Sequence, residues 1–136
     1  MTRRPDWQAR LTGYLIGCAR APYQLGQHDC ALFAAGAVEA VTGSDPAYAW
    51  RGRYATKAEG FRALKRAGHT DHIAATAAAL PEIDPVFAAP GDIACVADPQ
   101  AGGLVLGVVQ GELIYVLRED GLGLLPHAAM QRAFRT

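Results

Sequence analysis

An excess of charge of either sign is missing from this chain: thirteen Lys and Arg residues balance thirteen Asp and Glu. With no net field, neither nucleic acid nor an acidic membrane surface is an expected partner. Cysteine is scarce as well. Cys18, Cys30 and Cys95 stand far apart and form no C-x-x-C pair. That spacing excludes the usual zinc knuckle and a disulfide framework, and a reducing compartment is the simpler setting. No His-x-x-His pair or carboxylate cluster has ligand spacing, so neither a metal nor another cofactor is expected. Long apolar runs are also absent. Residues 7–19 are interrupted by Arg10, Thr12 and Gly13, against the pattern of a signal peptide. The most apolar later stretch, Leu104 to Val109, is far too short to span a bilayer.

What is present describes an ordinary globular chain. Its 136 residues are 51% hydrophobic and 19% charged, which fits one domain over residues 1–136 with a core of its own. Helical spacing dominates the first half. Trp7, Leu11, Tyr14, Leu15 and Cys18 form one face, with Pro5 suited to the first turn. Asp29 is a good N-cap for a second helix running to about Val41, with Gly43 just past its end. That helix is apolar almost all round, as a central buried helix is. Thr56 and Glu59 have the spacing of a capping box in front of a third helix, which Gly68 ends. A weaker, Ala-rich helix is expected from about Asp71 to Leu80.

From Gly91 the pattern changes to short runs rich in Val, Ile and Leu: Ile93–Val96, Leu104–Val109 and Leu113–Leu117. Gln110-Gly111 suits a tight hairpin turn between the last two. Gly121–Leu125 is a fourth candidate strand, and Pro126–Arg132 is expected to form a final helical turn. Helices first and an antiparallel sheet second is an α+β order.

Chemistry points to Tyr23-Gln24-Leu25-Gly26-Gln27-His28-Asp29-Cys30. A cysteine in the first turn of an apolar helix has backbone N–H groups and the helix dipole available to stabilise a thiolate, and the same groups can serve an oxyanion. A buried cysteine that only packs has the same local signature. The run Tyr23-x-x-Gly26 followed by Asp29-Cys30 and a helix of small residues resembles the nucleophile segment of NlpC-type, papain-like cysteine peptidases. Gly91-Asp92-Ile93 resembles the step that opens that family's first core strand, and Gly103–Tyr115 resembles the next hairpin. The resemblance implies a papain-like NlpC-type fold, with N-terminal helices packed on a small antiparallel sheet. It makes Cys30 the nucleophile, active or vestigial, and brings Tyr23 to its side.

Two departures bear on activity. Asp29-Cys30-Ala31-Leu32 lacks the family's Ser-Gly step. Active members also carry a histidine at the start of the second strand; aligning on Gln110-Gly111 puts Gly103 there, and Leu104–Val109 contains no base. Positioned acid–base chemistry supplies roughly 10²–10⁴ in rate, so its loss would cripple an amidase. Of the four histidines, His28 is too local to Cys30, and His69 and His72 are expected to be solvated near a helix start. His127 is the one candidate to fold back over the sheet as a base, its other reading being an exposed residue at a helix start. Asp29 and Asp92 suit cap and turn roles. Tyr48, Trp50 and Tyr54 fit an ordinary loop and an interface anchor equally well.

A second resemblance spans nearly the whole chain. Gly26–Ala35, Thr42–Pro46, Arg51–Thr56, Gly91–Ile93 and Leu106–Val108 occur in the order seen in a family of tailed-phage and prophage proteins. These resemble the peptidase-like component beside the hub of a siphophage tail tip. It implies a structural or assembly component, catalytically degenerate, made in the host cytoplasm and then carried in the virion tail. Tail hub or tail-tip proteins would be its partners, with no membrane insertion. The alternative is an active cysteine hydrolase that cuts peptide bonds in peptidoglycan during DNA entry.

Overall fold

The computed structural model describes residues 2–136 and contains four α-helices and a six-stranded antiparallel sheet. The helices are α1 (Trp7–Cys18), α2 (Cys30–Thr42), α3 (Lys57–Arg66) and α4 (His72–Ala79). The strands are β1 (Glu82–Ile83), β2 (Ile93–Asp98), β3 (Gly103–Gln110), β4 (Leu113–Arg118), β5 (Gly121–Pro126) and β6 (Met130–Phe134), in the order β1-β6-β2-β3-β4-β5. The α+β class therefore holds. None of the described helices is long and apolar enough to cross a membrane.

Local chemistry accounts for the helix ends. The Asp29 carboxylate accepts from the Leu32 N–H at 2.9 Å, and Gly43 closes α2 with φ of 86°. Thr56 accepts from the Glu59 N–H at 3.1 Å, as the expected capping box requires, while the Glu59 carboxylate reaches one residue further back, to the Ala55 N–H at 3.2 Å. Asp71 caps α4 through the Ala74 N–H at 2.7 Å.

The period of the strands divides the core in two. One face of the sheet presents Ile93, Cys95, Leu106, Val108 and Phe134 to Leu11 and Leu15 of α1 and to Phe33, Val38 and Val41 of α2. The other face gathers Val96, Val105, Val109, Ile114 and Val116 with Met130, and these pack mainly on one another. Val109, Ile114 and Val116 are all 0% exposed within this second cluster. Gly107 lets β3 and β4 approach closely, because a Cβ there would stand 2.7 Å from the Tyr115 carbonyl on β4.

The C-terminal segment differs from expectation. Of Pro126–Arg132 only His127–Ala129 forms a helical turn, of the 3₁₀ type; from Met130 the chain runs as β6, which pairs with both β2 and β1. Its five residues carry too little local signal, and the pairing is supplied by strands that lie far away in sequence. At the end of this ladder Asp92, 1% exposed, accepts from Arg3, from the Ala89 N–H and from the Thr136 N–H. The Gly91-Asp92 step thus fastens both ends of the chain to β2.

Candidate functional site

Cys30 is the first residue of α2 and lines a cleft of about 660 Å³. The loop before it is rigidly built. Asp29, 3% exposed, accepts from Leu32 N–H, from Gly26 N–H at 3.0 Å and from the Tyr54 hydroxyl. Gly26 has φ of 82°, and a Cβ there would fall 1.7 Å from the Tyr54 carbonyl oxygen, so only glycine fits. The Gly26 carbonyl in turn accepts from Gly52 N–H at 2.7 Å. Arg51 binds Asp45 at 2.8 Å and reaches towards the Leu32 carbonyl, 3.5 Å away. The separated motifs around Arg51, Gly52 and Tyr54 are therefore ties that hold the Cys30 loop. Tyr48 is 77% exposed, and Trp50 lines the cleft.

The surroundings of the thiol oppose its ionisation. Burial, and next the negative charge of Asp29, push Cys30 up to about 11, against the opposing pull of the Ala31 and Cys30 backbone N–H groups and of Lys57. A helix terminus supplies only about 0.3–1 kcal/mol to a nearby anion, and a tenfold change in ionisation takes about 1.4 kcal/mol. Desolvation is the larger effect and decides the sign. Tyr23 lines the same cleft, and burial, with the Cys30 and Asp29 charges behind it, raises its phenol to about 12. Both groups therefore stay protonated at neutral pH.

The strand beside Cys30 is aliphatic. Leu104, Val105 and Leu106 line the cleft with it, and Cys30 packs on the cluster to which Val105 belongs. Gly103 instead begins β3 opposite Asp98, exposed and outside the cleft lining. The lining of the cleft by β3 thus starts at Leu104, one residue past the position that the alignment on the hairpin turn picked.

His127 does not come to the site. It lies in the turn between β5 and β6, its N–H donating to the Glu112 carbonyl at 2.9 Å, and it does not line the cleft. Glu112 belongs to the hairpin turn at the far end of β3, roughly 17 Å or more beyond Val105 at ~3.3 Å per strand residue. His28 also points elsewhere, its ring meeting the edge of Phe33 with centroids 6.3 Å apart.

His72 departs from its expectation as a solvated residue near a helix start. It is half-buried and lines the cleft. Burial lowers its pKa, with the Asp71 and Asp29 charges and the Leu104 backbone opposing, and its Nε2 is buried without a hydrogen-bond partner. No hydrogen bond joins it to Cys30. A signal existed: His72, Ala75, Thr76 and Ala79 fall at i, i+3, i+4 and i+7 of α4, and all four line the cleft. Cys18 and Cys95 are core residues, with burial raising both thiols. Among the described residues no group of three or more His, Cys, Asp or Glu side chains could hold a metal ion.

The model of a family described as Domain of unknown function (DUF6950) matches residues 2–136. No curated protein matches the chain.

Proposed function

The chain belongs to the DUF6950 family, and from that premise we propose that it is an assembly component of a phage tail tip, built on an NlpC-type, papain-like scaffold. In this reading the cleft at Cys30 binds and does not cut. One observation supports it: the thiol of Cys30, which the NlpC-type resemblance makes the nucleophile, is pushed up to about 11 and no base is bonded to it. Partners would be hub or tail-tip proteins, and the chain would pass from host cytoplasm into the virion tail.

The test is the rate of Cys30 alkylation against pH, with Cys30→Ala as control. A free thiol of pKa ~8.5 is substantially ionised at pH 8, whereas a thiol near 11 has about one thiolate in a thousand. Labelling should therefore run roughly two orders of magnitude below a free thiol and climb about tenfold per pH unit to at least pH 9.5. A plateau at or below pH 8 would overturn the reading.

The active hydrolase is favoured by one specific observation, the unpartnered Nε2 of His72 in the same cleft. It calls for a Cys30 thiolate titrating together with His72 and for peptide-bond cleavage in peptidoglycan that His72→Gln abolishes. The same alkylation curve separates the two readings, since a Cys–His pair would give an inflection that His72→Gln removes.

A further inference from the structure

The two edges of the sheet are unequal. β1 at one end is only two residues long, and Glu82 on it is paired with Arg132 at 2.8 Å. Short edges and charges are the usual guards against pairing with another chain. β5 at the other end runs for six residues, Gly121–Pro126, without one charged side chain.

Register decides which main-chain groups of β5 are free. It pairs with β4 without a break from Arg118↔Gly121 to Leu113↔Pro126, and just beyond, the His127 N–H donates to the Glu112 carbonyl. Bonding alternates along an antiparallel ladder, so Gly121, Gly123 and Leu125 also turn their N–H and C=O groups towards β4. Leu122, Leu124 and Pro126 turn theirs outward. Pro126, which has no N–H, thus sits where the β4–β5 ladder loses nothing by it. Among the described residues no loop or side chain takes up the outward groups of Leu122 and Leu124.

The side chains beside this edge form a knob and a hole. Leu122 packs against the core cluster under α1, and with Thr12, Leu15, Ile16, Gln110 and Tyr115 it lines a groove of about 240 Å³. Leu124, two residues on, points to the same face of the sheet but does not line the groove. Leu124 is 49% exposed and Ile16 is 61% exposed.

We propose that β5 pairs antiparallel with β5 of a second copy of this chain, about a two-fold axis at Gly123. In that register Leu122 of each copy stands opposite Leu124 of the other, and each such pair exchanges both of its main-chain bonds. Residues directly opposite share a face, so each Leu124 is set beside the Leu122 of the other copy, at the groove that Leu122 lines. Gly123 meets Gly123 on the axis, where no side chain obstructs the close approach. This self-complementarity selects the occupant. A foreign strand would use the same main-chain groups but would leave Leu124 of this chain without its groove. A register shifted by two would set Leu124 against Leu124 and Leu122 against Pro126, losing a bond as well as the groove. The pairing is independent of the assembly reading and of the cleft at Cys30, which no residue of β5 lines.

The experiment is sedimentation velocity of the full chain from about 5 to 500 µM. Two six-residue strands make a small interface, so a dissociation constant of roughly 1–100 µM is expected. Nothing larger than a dimer should form, because a two-fold pairing closes on itself. Leu124→Pro removes an outward N–H and no bond of the β4–β5 ladder. It should weaken the dimer at least tenfold and leave the thermal unfolding curve of the dilute monomer unchanged. Ile16→Ser should weaken the dimer severalfold, whereas Phe87→Ser, at a residue 68% exposed elsewhere on the surface, should not. Oxidative cross-linking in a Cys30→Ala background reads the register. Leu122→Cys mixed with Leu124→Cys should link, since such opposite pairs have the separation a disulfide needs, and neither variant should link alone. Should Leu124→Pro fail to fold, Ile16→Ser and the cross-link still decide. A monomer at every concentration, open-ended oligomers, a dimer indifferent to Leu124→Pro or Ile16→Ser, or cross-links formed as readily by one variant alone would each overturn the proposal.

Discussion

α2 and α3 begin in nearly the same way and end up doing opposite things. Each has a short polar N-cap accepting from the N–H three residues on, Asp29 for α2 and Thr56 for α3. α2 then buries Leu32, Phe33, Ala34, Ala35, Ala37, Val38 and Val41, whereas α3 buries no residue at all. Local code starts a helix, but what the helix packs on decides whether it carries stability. α2 packs on α1 and on β3, and the chain spends its apolar surface there. α3 is left amphipathic over an open cleft, where its surface is available to something else.

The comparison breaks first at Phe33, which is 0% exposed between α1 and the sheet. Phe33→Ala should cost about 3–5 kcal/mol, the usual range for emptying a well-packed aromatic site, measured as a shift in urea midpoint at constant slope. A loss below about 1 kcal/mol would mean that α2 is not the central helix.

The two caps sharpen the contrast. Asp29→Ala removes a cap and also leaves the Gly26 N–H and Tyr54 hydroxyl without their acceptor. The expected cost is about 2–4 kcal/mol, combining a lost cap with orphaned donors. Thr56→Ala removes only the α3 cap and should cost about 1 kcal/mol or less. Equal costs would show that α3 is coupled to the core as firmly as α2.

Acid should separate the two regions again. Burial holds both His28, beside Phe33, and His72, in the cleft, below their ordinary value of 6.5. The unfolded chain then binds more protons than the folded one once pH drops below about 6.5, so their contribution is complete above that pH and is lost as pH falls towards the folded values. Melting temperature should decline between pH 6.5 and 5, before most carboxylates titrate, and His28→Gln should flatten that decline. If α3 and α4 open without the core, His72→Gln should flatten only the acid-induced rise in amide exchange of residues 57–79.

Much of this division could be read from the chain alone, and the part that could not has a physical cause. The helix boundaries followed from Asp29, Gly43, Thr56 and Gly68, because caps are local chemistry. Four strands followed from short apolar runs. β6 did not, since Met130–Phe134 is a strand only by virtue of β2 and β1 beside it. At the site, Cys30 was legible from the loop–helix junction and Tyr23 from the NlpC-type resemblance, and the structure brings both to one cleft. His127 was misjudged because closeness across a sheet depends on which end of a hairpin a turn occupies. His72 was misjudged because a polar residue after an N-cap looks solvated until the i, i+3, i+4, i+7 stripe is followed to Ala79. The thiol's ionisation could not be read from the chain, because a helix N-terminus can be seen in sequence and the desolvation that opposes it cannot.

The smallest expected effect is the sharpest test of what α3 is for. Phe61 is the one large aromatic on that helix and is 47% exposed, so Phe61→Ala forfeits little buried area and should change stability by less than about 1 kcal/mol. A helix of ten residues that contributes so little to the fold would fray unless its propensity and cap held it. Amide exchange across residues 57–66 should accordingly be orders of magnitude faster than across residues 30–42, at identical global stability. Comparable protection in the two helices would mean that α3 is held by the core after all, and the cleft beneath it would then be a packing defect with no partner to await.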